Sequence, residues 1–435
     1  MILPINDSGC GWLNIIEPRT AFARLDKSIS CDWLIIGAGY TGLSAARQLA
    51  KLRPNDHIIV LEAQQAAEGA SARNSGYLVD STLNDGHLSA DDLNQYQQKY
   101  DLNLKALKQV KKFVSEYNVD CDWQETGKFH ATALEKNKTK LSQFHQTLSD
   151  CGISSTVVEG DDLARRLGTN FYRMAVHTQG GVMLQPAKLA RAMITALPSN
   201  VTLFENSPVR HIQHNDTIVT VTTTNGQVKS HKLLMCTNGF LPSLSIQKDR
   251  AFPLSLTASL TRQLTESEYS ELGAPDPWGL LSAQAMGATV RLTADKRIMI
   301  RNTAEAVYGI NLTARDIQKR VSTHQQGLIS RFPSLPKDII EHSWAGVTCV
   351  SGNSANIFTQ LSKNSWAAGC YNGGGIGLAT HFGEQLAFLA TGEDSADIQQ
   401  IMQRPKPNWL PPNPALRWGV KMRLAKDRIL AKQER

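Results

Sequence analysis

No C-x-x-C pair occurs in this sequence, and its seven cysteines (Cys10, Cys31, Cys121, Cys151, Cys236, Cys349, Cys370) are scattered and odd in number. That excludes the usual zinc spacings and a disulfide framework, so no metal is expected and a reducing cytoplasm is the expected setting. No stretch approaches the roughly 20 apolar residues a membrane span needs. The start, Met1-Ile-Leu-Pro-Ile-Asn-Asp7, lacks the basic region and apolar stretch of a secretory signal. There is no nucleic-acid motif, no internal repeat and no low-complexity segment. What remains is an ordinary globular composition, 41% hydrophobic and 20% charged over 435 residues, long enough for two intertwined domains. The net charge of +7 favours anionic partners without fixing any fold.

After an irregular arm of some thirty residues containing Gly9, Gly11 and Pro18, the run Trp33-Leu-Ile-Ile36 reads as a strand buried on both faces. Thr41 to Leu52 is expected as a helix, with Leu43, Ala46, Leu49 and Ala50 on one side and Pro54 beyond its end. His57 to Glu62 is a second buried strand. This β-α-β unit implies a parallel sheet. Asn94 to Tyr117 reads as helix; then the texture shifts to short strands at Asp122-Trp-Gln and Lys128 to Ala133. Pro186 to Leu197 is expected as helix, and Val201–Phe204, Ile218–Thr222 and Leu233–Cys236 as strands. A second β-rich block runs from Leu254 through Val290-Arg-Leu and Arg297 to Arg301, before a strand at Trp366–Cys370 and a long helix from Ile376. The expected class is therefore mixed α/β. A discontinuous dinucleotide-binding domain (28–118, 186–248 and 341–402) is interrupted by a β-rich substrate domain (119–185 and 249–340), with a basic tail at 403–435.

Gly37-Ala-Gly-Tyr-Thr-Gly42 fits G-x-G-x-x-G between the first strand and first helix. Gly37 permits the tight turn, Gly39 lets backbone approach a pyrophosphate beside Tyr40 and Thr41, and Gly42 lets the helix pack close. The helix N-terminus offers free N–H groups to phosphate. Glu62 ends the second strand 20 residues after Gly42, placed to accept hydrogen bonds from ribose hydroxyls. The motif does not distinguish NAD from FAD.

Two further segments do so by likeness. Gly69-Ala-Ser-Ala-Arg-Asn-Ser-Gly76 and Tyr371-Asn-Gly-Gly-Gly-Ile-Gly377 resemble the flavin-contacting segments of the D-amino acid oxidase-like superfamily, which includes glycine and sarcosine oxidases. Within it the sequence most resembles the gamma-glutamylputrescine oxidase-like amine oxidases. The likeness extends through Cys31 to Ser44, Val119 to Trp123, Gly180 to Pro186 and Arg291 to Asp295. The resemblance implies a Rossmann-type FAD-binding domain. It implies that Ser71, Arg73, Asn74 and Ser75 line the phosphates and the isoalloxazine ring, and that the Val209 backbone meets the adenine. Arg73 is either a phosphate partner or an ordinary surface arginine. Asn372, Gly373, Gly374, Gly375 and Ile376 would bring backbone and a helix N-terminus to the ring; Gly374 stands where the family usually has histidine.

The resemblance further implies hydride transfer from a carbon next to an amine nitrogen, giving an imine that hydrolyses. Family members acting on amino acids carry a carboxylate-clamping arginine shortly after a Trp-Ala-Gly-like strand. Trp344 to Val350 matches that strand, but Thr348 takes the arginine's position. Arg291 and Arg301 are alternative clamps, or structural arginines. Cys349 falls where sarcosine oxidases bond the flavin covalently, or is a packed core thiol. Tyr371, Trp123 and Phe129 are candidates for an aromatic cage around an alkylammonium, or are core. His381 and His130 are given no role as base. Sarcosine oxidase activates oxygen with a lysine, which the strand Arg297–Arg301 lacks, so the electron acceptor, oxygen or a quinone, stays open. The expected function is FAD-dependent oxidation of an alkylamine, polyamine or gamma-glutamylated amine. The alternatives are a D-amino acid or N-methyl-amino acid dehydrogenase and a flavoprotein partner acting on a protein-bound group. The tail, with nine Lys or Arg against two acids, is expected to contain an amphipathic helix through Leu416, Trp418, Val420, Met422 and Leu424. That helix either docks on anionic lipid or packs across the protein's own surface.

Overall fold

The run Trp33 to Ile36 divides its side chains strictly by parity, and that division organises the first sheet. Trp33 and Ile35 enter one buried cluster with Ile58, Val60, Leu43 and Phe382, while Leu34 and Ile36 enter another with Ile59, Leu61 and Met235. A strand with period-two side chains and both faces covered needs apolar residues at every position, hence the unbroken run. The computed structural model describes residues 7–81, 83, 90–215, 217–305, 312 and 314–435, with the side chains of 90–92 and 314 set apart. Most of the Met1–Asp7 start, and parts of the 28–118 and 249–340 segments, lie outside the described residues.

In this first sheet the strands run in the order Ile357–Ser362, Ser365–Gly369, Gln227–Met235, Ser28–Ile36, Ile58–Leu61, Val201–Phe204. The last five are parallel to one another. Val219–Thr223 and Val209–His214 extend it as an antiparallel appendage. Helices Tyr40–Leu52 and Gly375–Thr391 pack together on one face. A Cβ at Gly383 would lie 2.2 Å from the Thr41 carbonyl oxygen, so glycine sets how closely these helices meet.

The second sheet has the order Ile340–Ser351, Ala251–Thr261, Ile298–Glu305, Thr289–Leu292, Trp278–Ser282, Lys128–Thr132, Met174–Thr178, Ser155–Glu159. It is antiparallel except where Trp278–Ser282 meets Lys128–Thr132. Three expectations change here. The strand Ile340–Ser351 hydrogen bonds along Ala251–Thr261, so it joins this sheet and not the 341–402 segment to which its position in sequence assigned it. Asp122-Trp-Gln is no strand: Asp122 has φ +51, outside extended geometry, and only Gln124 forms a bridge, to Met183. The block read as β-rich also holds helices Lys138–Asp150, Gly160–Leu167 and Ala314–Arg331.

The basic tail lies across this second sheet. Leu424 of helix Ala415–Leu430 joins a cluster with Met286, Ala304, Leu256 and Ala431. Beyond it Glu434 is 1% exposed, and its carboxylate accepts hydrogen bonds from the hydroxyls of Thr132 and Ser282, the Ala133 amide and the Asn137 side chain. Arg331 donates to the carbonyls of Glu434 and Arg435. The expected amphipathic helix is present, and these contacts tie it to the protein's own surface. Trp418, Met422 and Ile429 on its other side are exposed. No described helix is long and apolar enough to cross a membrane.

Replacing Glu434 by alanine strands several buried donors, each worth about 1–3 kcal/mol. We expect Glu434→Ala to lower the stability of the second sheet by about 3 kcal/mol and shift its urea midpoint downward. An unchanged midpoint would show that the tail is not anchored there.

Candidate active site

The two parallel-sheet helices begin at one cavity of about 590 Å³. Gly37 opens the first turn with φ +100, a left-handed conformation that disfavours any side chain, and donates its N–H to Leu61. A Cβ at Gly42 would sit 1.8 Å from the Gly37 carbonyl oxygen, which only glycine tolerates. The turn is then fixed from outside: the Ala38 amide donates to the Glu62 carboxylate at 2.9 Å and the Tyr40 amide to Ser71 Oγ at 2.9 Å. Glu62 also accepts from the Gln64 amide at 3.1 Å and borders the cavity; burial pushes its carboxyl up from the usual range.

Opposite, the Tyr371 hydroxyl meets Thr41 Oγ1 at 2.7 Å, and burial pushes its phenol well up, so it stays neutral. Asn372 accepts from the Ser351 amide and donates to the carbonyls of Ala355 and Cys370. Its side chain is spent on holding this loop. Gly373 (φ +98) has nothing within 4 Å of an added Cβ, and Gly374 and Gly375 have nothing nearer than 3.8 Å, an open cradle of backbone at the start of helix Gly375–Thr391. Gly37, Gly39, Tyr40, Thr41, Glu62, Ser71, Arg73, Asn74, Ser75, Val209, Thr348, Tyr371 and Asn372 through Ile376 all border the one cavity. Gly42 lies beneath its floor.

Several of these residues are committed otherwise than the sequence suggests. Arg73 donates to the Asp7 carboxylate at 2.9 Å, to the carbonyls of Asp7, Ala345 and Glu68, and its side chain is 3% exposed. Its charge is answered by Asp7 of the arm, so it is neither a surface arginine nor a free phosphate partner. The same arm sends Trp12 Nε1 to the Asn74 carbonyl. Arg291 is buried, donates to the carbonyls of Ser75 and Leu184, stacks on Trp12 and does not border the cavity. It supports the flavin-type loop from behind. Arg301 does border the cavity, half-buried, with the Thr289 hydroxyl at 2.6 Å and no acidic partner among the described residues. Cys349 is fully buried beside Cys370, in the cluster with Met235 and Ala251, while Thr348 and Val350 line the cavity. Its thiol packs in the core, where the hydrogen bond with Cys370 and burial push it well up from the usual thiol range. Trp123 and Phe129 are away from the cavity, as are His381, whose burial lowers it to about 4, and buried His130. Sequence reading missed Asp7, Lys99 and Asp427 as wall residues; none sits in a local motif.

These residues fit a dinucleotide. Two helix N-termini and bare glycine backbone face one cavity, and Glu62 sits where a ribose hydroxyl needs an acceptor. Fold and site together define a dinucleotide-binding protein of the Rossmann type. Residues 32–389 match the family described as FAD dependent oxidoreductase, DAO, and the chain belongs to that family. It is thus an FAD-dependent oxidoreductase, with FAD as cofactor, and its homologues act on C–N donors such as amines and amino acids. It is 26% identical over 393 residues to gamma-glutamylputrescine oxidoreductase of Escherichia coli strain K12, covering 86% of each chain. Among solved structures, glycine oxidase from Geobacillus kaustophilus superposes with a TM-score of 0.70 at 16% identity, covering 84% of this chain and 96% of that one. L-proline dehydrogenase from P. horikoshii gives 0.68 at 15% identity, covering 87% and 97%. The fold is thus shared with enzymes of differing donors. None of these likenesses supports lipid contact by the tail.

Removing the Glu62 carboxylate frees the Ala38 amide and the ribose site together. Glu62→Ala should weaken FAD retention by about tenfold or more, measured by flavin released on dialysis; undiminished retention would remove Glu62 from the cofactor's partners. Acid precipitation should leave all yellow colour in the supernatant, and Cys349→Ser should leave flavin content unchanged. Colour in the pellet would place Cys349 at the ring.

Proposed function

We propose that the chain oxidises an amine at the carbon beside nitrogen, with no α-carboxylate on the reacting carbon, to an imine that water hydrolyses to aldehyde and ammonia or amine. The bound FAD supplies the hydride acceptor. The chain's own residues orient the donor, shed water and hold neutral hydroxyls at Thr41 and Tyr371. The reading is carried by Thr348 on the cavity wall, where the resemblance calls for an arginine. A carboxylate buried there without a cation would lose several kcal/mol. Alkylamines, polyamines and gamma-glutamylated amines escape that penalty. Oxygen or a quinone takes the electrons, and the unpaired cysteines of the sequence suit a reducing cytoplasm.

Arg301 favours a second reading, an α-amino acid donor. It has no acidic partner among the described residues and borders the cavity. In register, Arg301 pairs with Ala258 and Thr348 with Leu254, four residues apart on the strand between them. That is about 13 Å along the sheet and two strands across. Arg301 therefore suits a carboxylate or acyl group remote from the reacting carbon better than one attached to it.

Anaerobic stopped-flow with matched pairs separates the readings. We expect butylamine and its acylated diamine analogues to bleach the flavin faster than glycine, sarcosine or D-alanine, and Thr348→Arg to narrow that gap. Faster bleaching by the amino acids, abolished in Arg301→Gln, would establish the second reading instead.

A further inference from the structure

The tail lies beyond the family match, which stops at residue 389, yet two of its residues, Leu424 and Asp427, form part of the cavity wall. Their setting is mainly apolar: Leu424 packs with Met286, Ala304 and Leu256, all of which also line the cavity. Asp427 puts a carboxylate into this wall with its side chain 15% exposed. One oxygen accepts from Arg423 Nε at 2.9 Å, and that arginine is 76% exposed, one helical turn away. No described residue donates a hydrogen bond to the other oxygen. The helix has little freedom to withdraw the group, because Ala431 is fully buried and Glu434 is locked into the second sheet one turn further on.

A carboxylate in a largely apolar wall is costly unless something charged or hydrogen-bonding meets it. A solvated Arg423 meets it only from the outside, and exposed pairs of this kind are weak. The cofactor cradle is built by loops of the first sheet, and the Asp427 wall by the second sheet and the tail. A donor seated with its reacting carbon at the cradle would therefore extend toward Asp427. We propose that Asp427 binds a second, cationic nitrogen of the substrate, making the preferred donor a diamine or polyamine. This rests on the amine reading above and deepens it. Asp427 is a specificity residue: it contacts the end of the substrate that does not react, and leaves the chemistry at the other nitrogen untouched.

The test uses the full-length holoenzyme and reads binding through the change in flavin absorbance as ligand is added. Butane-1,4-diamine is compared with butylamine, which has the same carbon chain and one nitrogen fewer. Wild-type protein should bind the diamine about tenfold more tightly, the scale of one charge-assisted hydrogen bond. Asp427→Asn should abolish that preference while leaving butylamine affinity and the flavin spectrum unchanged. Arg423→Gln, which removes only the outside partner, should keep or enlarge it. Equal affinities in the wild type, or a preference that survives Asp427→Asn, would overturn the proposal and leave the amine reading standing. Binding of neither amine would overturn both.

Discussion

Two missing Cβ atoms decide whether this protein has a cofactor site. At Gly42 the first helix touches its own turn, and at Gly383 the last sheet-packed helix touches the Thr41 carbonyl, with only 1.8 and 2.2 Å available to a side-chain carbon. These contacts bring two helix N-termini to a single cavity. Each terminus leaves backbone N–H groups without helical partners and carries partial positive charge. Brought together they make a cradle for an anionic dinucleotide that needs no arginine. The commitment of Arg73 to Asp7 is consistent with that: the site can spend the guanidinium of its own loop on holding the arm and the Ala345 carbonyl in place.

The parts of the site legible in the sequence are those whose physics is local. A glycine turn between a strand and a helix, an acid at the next strand's end, and a glycine triplet before a helix each declare themselves within about ten residues. The strand Trp344–Val350 was also legible, but its sheet was not, because pairing with Ala251–Thr261 depends on residues nearly a hundred positions away. Cys349 shows the same limit at finer scale. Its place on the strand could be read, whereas the side on which the thiol lies is settled by Cys370, Met235 and Ala251. Arg73 was expected in the cofactor loop and does border the cavity, yet its partner is 66 residues earlier, in an arm whose sequence carries no motif. Asp427 was invisible for a related reason. Nothing in a basic amphipathic helix marks which acid faces inward until the buried Glu434 fixes the helix's rotation against the sheet.

The division of labour between the sheets follows from these constraints. The parallel sheet can present ligands only at the carboxyl ends of its strands, so the cradle has little geometric latitude. The antiparallel sheet is different: Leu254 through Ala258 of Ala251–Thr261, and Arg301 and Ala304 of Ile298–Glu305, border the cavity from a sheet separate from the turn at Gly37. The shared fold of enzymes with unlike donors fits that separation.

The proposed selectivity then rests on charge along the cavity wall. Thr348 supplies a hydroxyl where an arginine would fix an α-carboxylate, Arg301 offers a guanidinium some strands away, and Asp427 offers the opposite sign from the tail. Arginine stays protonated at any working pH, so Arg301 is a constant cation. In a low-dielectric cavity an unmatched charge on the ligand is penalised more heavily than a matched one is rewarded. On the reading proposed above, such a wall would select by exclusion as much as by attraction: a donor with its carboxylate at the reacting carbon would meet Thr348 in place of a cation. On the same reading, a donor whose charges lie further along its chain would meet Arg301 and Asp427.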